Sequence, residues 1–244
     1  THSAPKVGVP GLPEVFMGDR YKHEVDTAYT SIVEQSLIYG IIEARKKLVP
    51  AKLGVGWGYS QANINRRAVD EDCKASLGMN PDGPVDRRIG LIRLVKEDGS
   101  PLALIANYPI HGTVQGSANF EISGDVAGVV SDYVEQKTGA PLLFINGAAG
   151  NLAPIYSGYP NAKAGHLDQF RVLLGEKILN ANKRIISTSD SVKLFTGNLT
   201  IESPRKANLG WPSDLSNYTS TTKNGINMVK LPVRFLKINN EVAI

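Results

Sequence analysis

The run "GLIRLVKEDGSPLALIANYPIHGTV", residues 90–114, decides how the chain is read. Leu91, Ile92, Leu94 and Val95, then Leu102, Leu104 and Ile105, make two apolar stretches on either side of Asp98-Gly99. Asp-Gly between two apolar runs is the signature of a tight hairpin, so residues 90–96 and 101–108 are predicted to pair as strands. The second strand runs directly into Ile110-His111-Gly112-Thr113. An imidazole at a strand end is either hydrogen-bonded to backbone or committed to metal binding or catalysis, and both readings of His111 stand at this level.

Outward from this hairpin, helix-like and strand-like segments alternate. Residues 24–48 have helical character, but Val25, Ala28, Tyr29 and Ile32 lie on the face opposite Leu37, Ile41, Ala44 and Leu48, with Gly40 as a candidate break. Pro50 ends that segment, and residues 52–59 read as a glycine-rich strand. The clearest helix covers 126–137, where Val126, Val129, Val130, Tyr133 and Val134 recur at helical spacing. An apolar strand at 142–145, a second amphipathic helix at about 167–183 and a strand-like last third follow, with a loose loop near 203–226. Strands interleaved with helices predict an α/β fold, a mixed sheet with helices packed on it, spanning residues 1–244 as a single partial domain.

Composition narrows the function classes. The 244 residues are 42% hydrophobic and 20% charged, enough for a sizeable core. A formal charge of +4, spread without an Arg/Lys block, argues against a nucleic-acid partner. The single Cys73 excludes an internal disulfide and a cysteine-based zinc cluster. No stretch approaches 18 consecutive apolar residues. The chain opens on Thr1-His2-Ser3 without an initiator Met, and a hairpin signal at Asn239-Asn240 is followed by only four residues, so both ends are expected to be cut from a longer protein.

In open α/β sheets ligands gather beyond the carboxyl ends of strands. Three loops there carry the informative residues: 110–113, Ser123-Gly124-Asp125-Val126-Ala127-Gly128, and "NGAAGNLAP" at 146–154. Asp125, just ahead of a predicted helix, is expected to cap it. The glycine-rich loop is expected to be a tight turn with Asn151 left-handed, since no P-loop Lys-Ser/Thr follows. His23 and His166 stand at helix starts and are read as solvated and structural respectively.

Several ordered motifs resemble the neutral and alkaline non-lysosomal ceramidases. "THSAP" (1–5) is similar to the end of that family's Thr-His-Thr-His-Ser-Gly-Pro signature, and "INRR" (64–67) to its Asn-Arg-Ser segment. "NYPIHGTV" and "EISGDVAG" (121–128) resemble its His-Gly-Thr and Ser-Gly-Asp blocks, and "FINGAAGNLAP" (144–154) its Gly-Asp-Val-Ser-Pro loop. The resemblance implies a secreted or periplasmic hydrolase holding one zinc ion (Zn) by two histidines, a glutamate and a tyrosine, and cleaving the amide of a lipid or other N-acyl substrate. It places one metal ligand at His111, another just before Thr1, and the Glu and Tyr beyond Ile244. His2 would move a proton or bind the oxyanion, Arg66 would bind the developing negative charge, Asn151 would contact substrate, and Asp125 would steady a ligating imidazole from behind. Such chemistry is coherent: zinc lowers the pKa of bound water to about 7, and the leaving nitrogen and the oxyanion still need a proton and a donor.

The sequence also departs from the pattern. Ala153 stands where the family loop has an active-site serine, Asn151 where it has an acidic residue, Ala4 for Gly, and Val114 for the Ser after His-Gly-Thr. Any step that depends on that serine is excluded, and another amide or ester becomes a candidate substrate. The alternative from a different class is a non-catalytic relative that binds lipid or glycan, with a peripheral membrane contact possible for either. A serine α/β hydrolase is disfavoured because no G-x-S-x-G occurs.

Overall fold

The structure is a computed structural model and describes residues 26–116, 119, 121–157, 166–186, 188–205, 219–239 and 242–243. His2 and the "THSAP" motif lie outside the described residues. In chain order the elements are α1 (Thr27–Lys46), β1 (Ala51–Tyr59), β2 (Asn63–Val69), β3 (Ala75–Asn80), β4 (Arg88–Lys96), β5 (Pro101–Tyr108), α2 (Asp125–Thr138), β6 (Leu142–Asn146) and β7 (Leu152–Pro154). A 3-10 turn (His166–Gln169), a π-turn (Arg171–Gly175), α3 (Glu176–Lys183), β8 (Leu194–Pro204), β9 (Thr219–Thr221), β10 (Asn227–Ile238) and β11 (Val242–Ala243) complete the chain. The fold is α/β with mixed sheets, as predicted.

Two compact units partition the chain. In the unit containing residues 47–191, four strands run in the order β1-β4-β5-β6. The predicted hairpin is its centre: β4 and β5 pair antiparallel, and Gly99 takes the positive φ of 83° that the turn requires. Leu104, Ala106 and Tyr108 are buried at the two-residue period of a strand, facing Val126, Val130 and Val134 of α2 and Leu174 and Ile178 of the following helical segment in one core. β6 joins β5 in parallel after the α2 crossover, with Tyr108 opposite Asn146, so the two strands end side by side. That geometry brings the loops after them together.

The second amphipathic helix, expected at about 167–183, is helical throughout but changes its winding along its length. A π-turn at Arg171–Gly175 precedes α3, and it sits where Gly175 meets α2: a Cβ there would come 2.7 Å from the Tyr133 ring. The Tyr133 hydroxyl bonds the Glu176 carboxylate next to it. Arg93 from β4 ties down the other end of α3, donating to the carbonyls of Asn182 (3.2 Å), in its last turn, and Ile185 (2.8 Å), just beyond it. A three-stranded sheet, β3-β2-β7, has no counterpart in the sequence reading.

In the unit containing residues 26–46 and 192–244, β10 pairs along its length with β8 and turns into β11 at Asn239, whose φ is 51°. The hairpin expected at Asn239-Asn240 is therefore present. Helix α1 runs unbroken through Gly40, contrary to the expected break, and none of its residues is buried. Its apolar side chains are divided between two faces, and among the described residues nothing packs against Gly40 to bend the helix there.

Candidate active site

Asparagine side chains stitch the loop that leaves β5 to strand β2 on one side and to the end of β6 on the other. Asn63 is 1% exposed and donates both hydrogens of its amide, to the carbonyls of Pro109 (2.7 Å) and Asp86 (2.8 Å). Asn146, the last residue of β6, accepts the Ile110 N–H at 3.0 Å. Gly147 then passes so close to Pro109 that an added Cβ would lie 3.0 Å from its Cβ and 3.1 Å from its nitrogen. Below the strand end, burial of the Tyr108 ring raises its hydroxyl from the usual 10.0 to about 12, and that hydroxyl donates to the Ser60 carbonyl at 3.1 Å.

His111 follows this anchored segment and is half-buried, on a loop at the carboxyl end of β5 as expected. The far side of its loop is held by Asp125, whose carboxylate accepts from the N–H groups of Val114 (3.3 Å) and Gln115 (3.2 Å) and, within its own helix, of Val126 (2.8 Å). Asp125 is 2% exposed and has a φ of 48°. The expectation that it caps α2 is corrected: the cap position is Gly124, with no side-chain bond, and Asp125 lies one residue inside. From there its carboxylate reaches back to the loop amides, and Ser123 Oγ accepts its own N–H at 3.0 Å. Its partners are backbone amides, so it steadies the loop that carries His111.

Arg66 stands half-buried on β2, and its N–H donates to the Asn151 carbonyl at 2.8 Å. Its guanidinium donates from Nε (3.2 Å) and Nη2 (3.0 Å) to the Gly150 carbonyl. Asn151 is not left-handed, contrary to expectation; among the described residues the non-glycines with positive φ are Cys73, Asp125 and Asn239. The reason is that "NLAP" is not a free turn: Leu152–Pro154 form β7 against β2, with Ala153 opposite Ile64, and Asn151 donates to the Pro84 carbonyl at 3.3 Å. Ala153 is 8% exposed, inside this ladder. Beside Asn151, an open hollow of ≈ 430 Å³ is bordered by Pro84, Asp86, Arg88 and Ala148. The Arg88 guanidinium, bonded to Asp86, holds that carboxyl below the usual range.

The structure thus gathers His111, Asp125, Arg66 and Asn151 around connected loops. The residues that sequence reading missed are Asn63, Asn65 and Asn146. Asn63 and Asn65 alternate at strand spacing and are both buried, and that repeat of a polar type at every second position was the available signal. His111 has the donor chemistry zinc takes, but among the described residues no three His, Cys, Asp or Glu side chains cluster to hold a metal. A catalytic zinc takes three protein ligands, so these residues would supply one of them.

No protein-family model matches the chain. Among curated proteins it is 29% identical to neutral ceramidase B of Dictyostelium discoideum over 148 residues, 59% of this chain and 19% of that protein. It is 32% identical to neutral ceramidase A of the same organism over 117 residues, 46% of this chain and 15% of that one. It is also 28% identical to the neutral ceramidase of Pseudomonas aeruginosa over 134 residues, 53% of this chain and 20% of that protein. Its fold superposes on the crystal structure of neutral ceramidase from Pseudomonas aeruginosa with a TM-score of 0.59 at 18% identity, covering 86% of this chain and 32% of the other. A ceramidase complexed with C2 gives 0.62 at 15% identity, covering 88% and 44%. The matches span about a fifth of the length of the curated relatives. Over the part of those proteins that it matches, the chain is similar in sequence to neutral ceramidases, and its fold is like theirs.

Proposed function

We propose that this chain is part of a ceramidase-like hydrolase that cleaves an N-acyl amide bond with the help of zinc, and that His111 is the metal ligand it contributes. The observation that carries the reading is the joining of the His111 loop, the 147–151 loop and Arg66 at the neighbouring carboxyl ends of β5 and β6, the side of an α/β sheet where ligands gather. The remaining ligands are proposed to come from outside the described residues. Arg66, already turned toward a carbonyl oxygen, is suited to bind the oxygen of an amide as it gains negative charge. The substrate class proposed is a lipid amide related to ceramide, met in an extracytoplasmic compartment.

The test uses the full natural polypeptide that carries this segment, assayed for zinc content and for hydrolysis of N-acylsphingosine. His111→Ala is expected to lower the metal content and abolish hydrolysis with the fold retained. A variant that keeps stoichiometric zinc overturns the assignment. Ala153 favours a second reading, a non-catalytic lipid- or glycan-binding relative, because the hydroxyl of the family loop is missing. Lipid or glycan binding by the wild type, without metal or turnover, would select it. If the enzyme reading holds, Ala153→Ser is expected to raise turnover of N-acylsphingosine relative to a short N-acyl amino compound.

A further inference from the structure

We infer that Asn63 and Asn146 are positioning residues that fix the orientation of His111 by gripping one peptide group from both sides; the inference rests on the reading of His111 as a functional side chain. The Pro109 carbonyl and the Ile110 N–H belong to the same planar unit. Asn63 Nδ2 donates to its oxygen at 2.7 Å, and Asn146 Oδ1 accepts from its nitrogen at 3.0 Å. Bonds at opposite edges of a rigid plane prevent it from rotating about the chain axis. Between that plane and His111 there is only Ile110, itself 3% exposed and packed in the core. On the far side Asp125 holds Val114 and Gln115.

The grip also ties His111 to Arg66. Asn63 and Arg66 are three residues apart on β2. From Asn63 the contacts run through the Pro109-Ile110 peptide to Asn146, along the chain to Gly150, and back through the Gly150 carbonyl to the Arg66 guanidinium. The circuit begins and ends on one strand, so the imidazole and the guanidinium share a frame. Asn63 is suited to this by chemistry: both amide hydrogens are spent on carbonyls, while its buried Oδ1 has no hydrogen-bond partner among the described residues. Asparagine is kept there for its two donors, and an aspartate would set a negative charge against two carbonyl oxygens.

The decisive pair is Asn146→Asp, which keeps the acceptor for Ile110, and Asn146→Leu, which removes it. Both are made in the full natural polypeptide and first compared without metal, by the NMR signals of the His111 ring. One set of ring signals is expected in the wild type and in Asn146→Asp, and a broadened or shifted set in Asn146→Leu at unchanged circular dichroism. Ring signals in Asn146→Leu identical to those of the wild type overturn the inference. In metal-loaded protein, zinc affinity by chelator competition should fall about tenfold or more in Asn146→Leu and recover in Asn146→Asp, the range seen when supports behind a ligand are removed. Unchanged affinity in Asn146→Leu also overturns the positioning role. A wild type that binds no zinc sinks the functional reading instead, and the metal-free ring signals then decide the positioning alone.

Discussion

Residues 47–191 and the unit formed by residues 26–46 and 192–244 are held together by different means. In the first, Tyr108, Phe170, Ile89, Leu91, Leu174 and Ile178 are at most 1% exposed and interlock between sheet and helices. In the second, Ile238 is the one buried apolar residue among those described, while Ile32, Leu37, Ile41, Leu199, Leu231 and Phe235 face outward. There the order comes from the backbone ladder of β8 and β10 and from cross-strand pairs such as Phe235, whose ring lies over Gly197 directly opposite. The candidate site stands on the first unit. A side chain that must hold its position needs a support whose every shift costs packing, and dense cores supply that.

The difference is sharpest at phenylalanine. Phe170→Ala should destabilise the first unit by about 3–5 kcal/mol, the usual cost of emptying a buried aromatic site, while Phe235→Ala should cost about 1 kcal/mol. Urea denaturation of both variants checks this, and equal losses would erase the distinction. High pH offers a second contrast. Tyr108 is held above its unfolded pKa of 10.0, at about 12, so the folded state keeps its proton while the unfolded state gives it up. The stabilisation is complete below pH 10 and is lost as pH rises to 12, about 2–3 kcal/mol in all. Tyr108→Phe should remove that slope from the alkaline denaturation curve of the first unit.

Two glycines allow the same substitution in both places. Gly147→Ala meets the backbone of Pro109, which has nowhere to go, and should cost about 1–3 kcal/mol in melting experiments while disturbing the His111 loop. Gly197→Ala meets only the Phe235 ring, 39% exposed and free to swing away, and should cost less than about 1 kcal/mol. The smallest effect has the opposite sign. Gly40→Ala, with open space around it in the middle of α1, should add about 0.5–1 kcal/mol of helix stability, read as increased helical circular dichroism. A loss of helicity would restore the break at Gly40.

What was legible in the sequence follows the same division between apolar and polar work. The β4–β5 hairpin and α2 could be read because their buried apolar positions recur at the right period. Strand β2 could not, because its inward positions include Asn63 and Asn65, buried for the hydrogen bonds they donate. β7 was hidden by its length of three residues and its glycine-rich approach. At the site, His111 was placed correctly at a strand end, and Asp125 was placed at the right helix with the wrong partner. Capping is a local bond that sequence can suggest; a carboxylate reaching ten residues back to Gln115 is a tertiary one that it cannot.

The turn between β2 and β3 carries the only cysteine of the chain, exposed and left-handed at a φ of 59°. Its thiol is therefore a ready address for a spin label or a fluorophore, with no competing sulfhydryl within these 244 residues. A probe attached there rides on the hairpin whose other strand bears Arg66, seven residues away along the chain. Spectroscopy on the unaltered polypeptide can thus watch that hairpin when a lipid amide is added, before a single codon is changed.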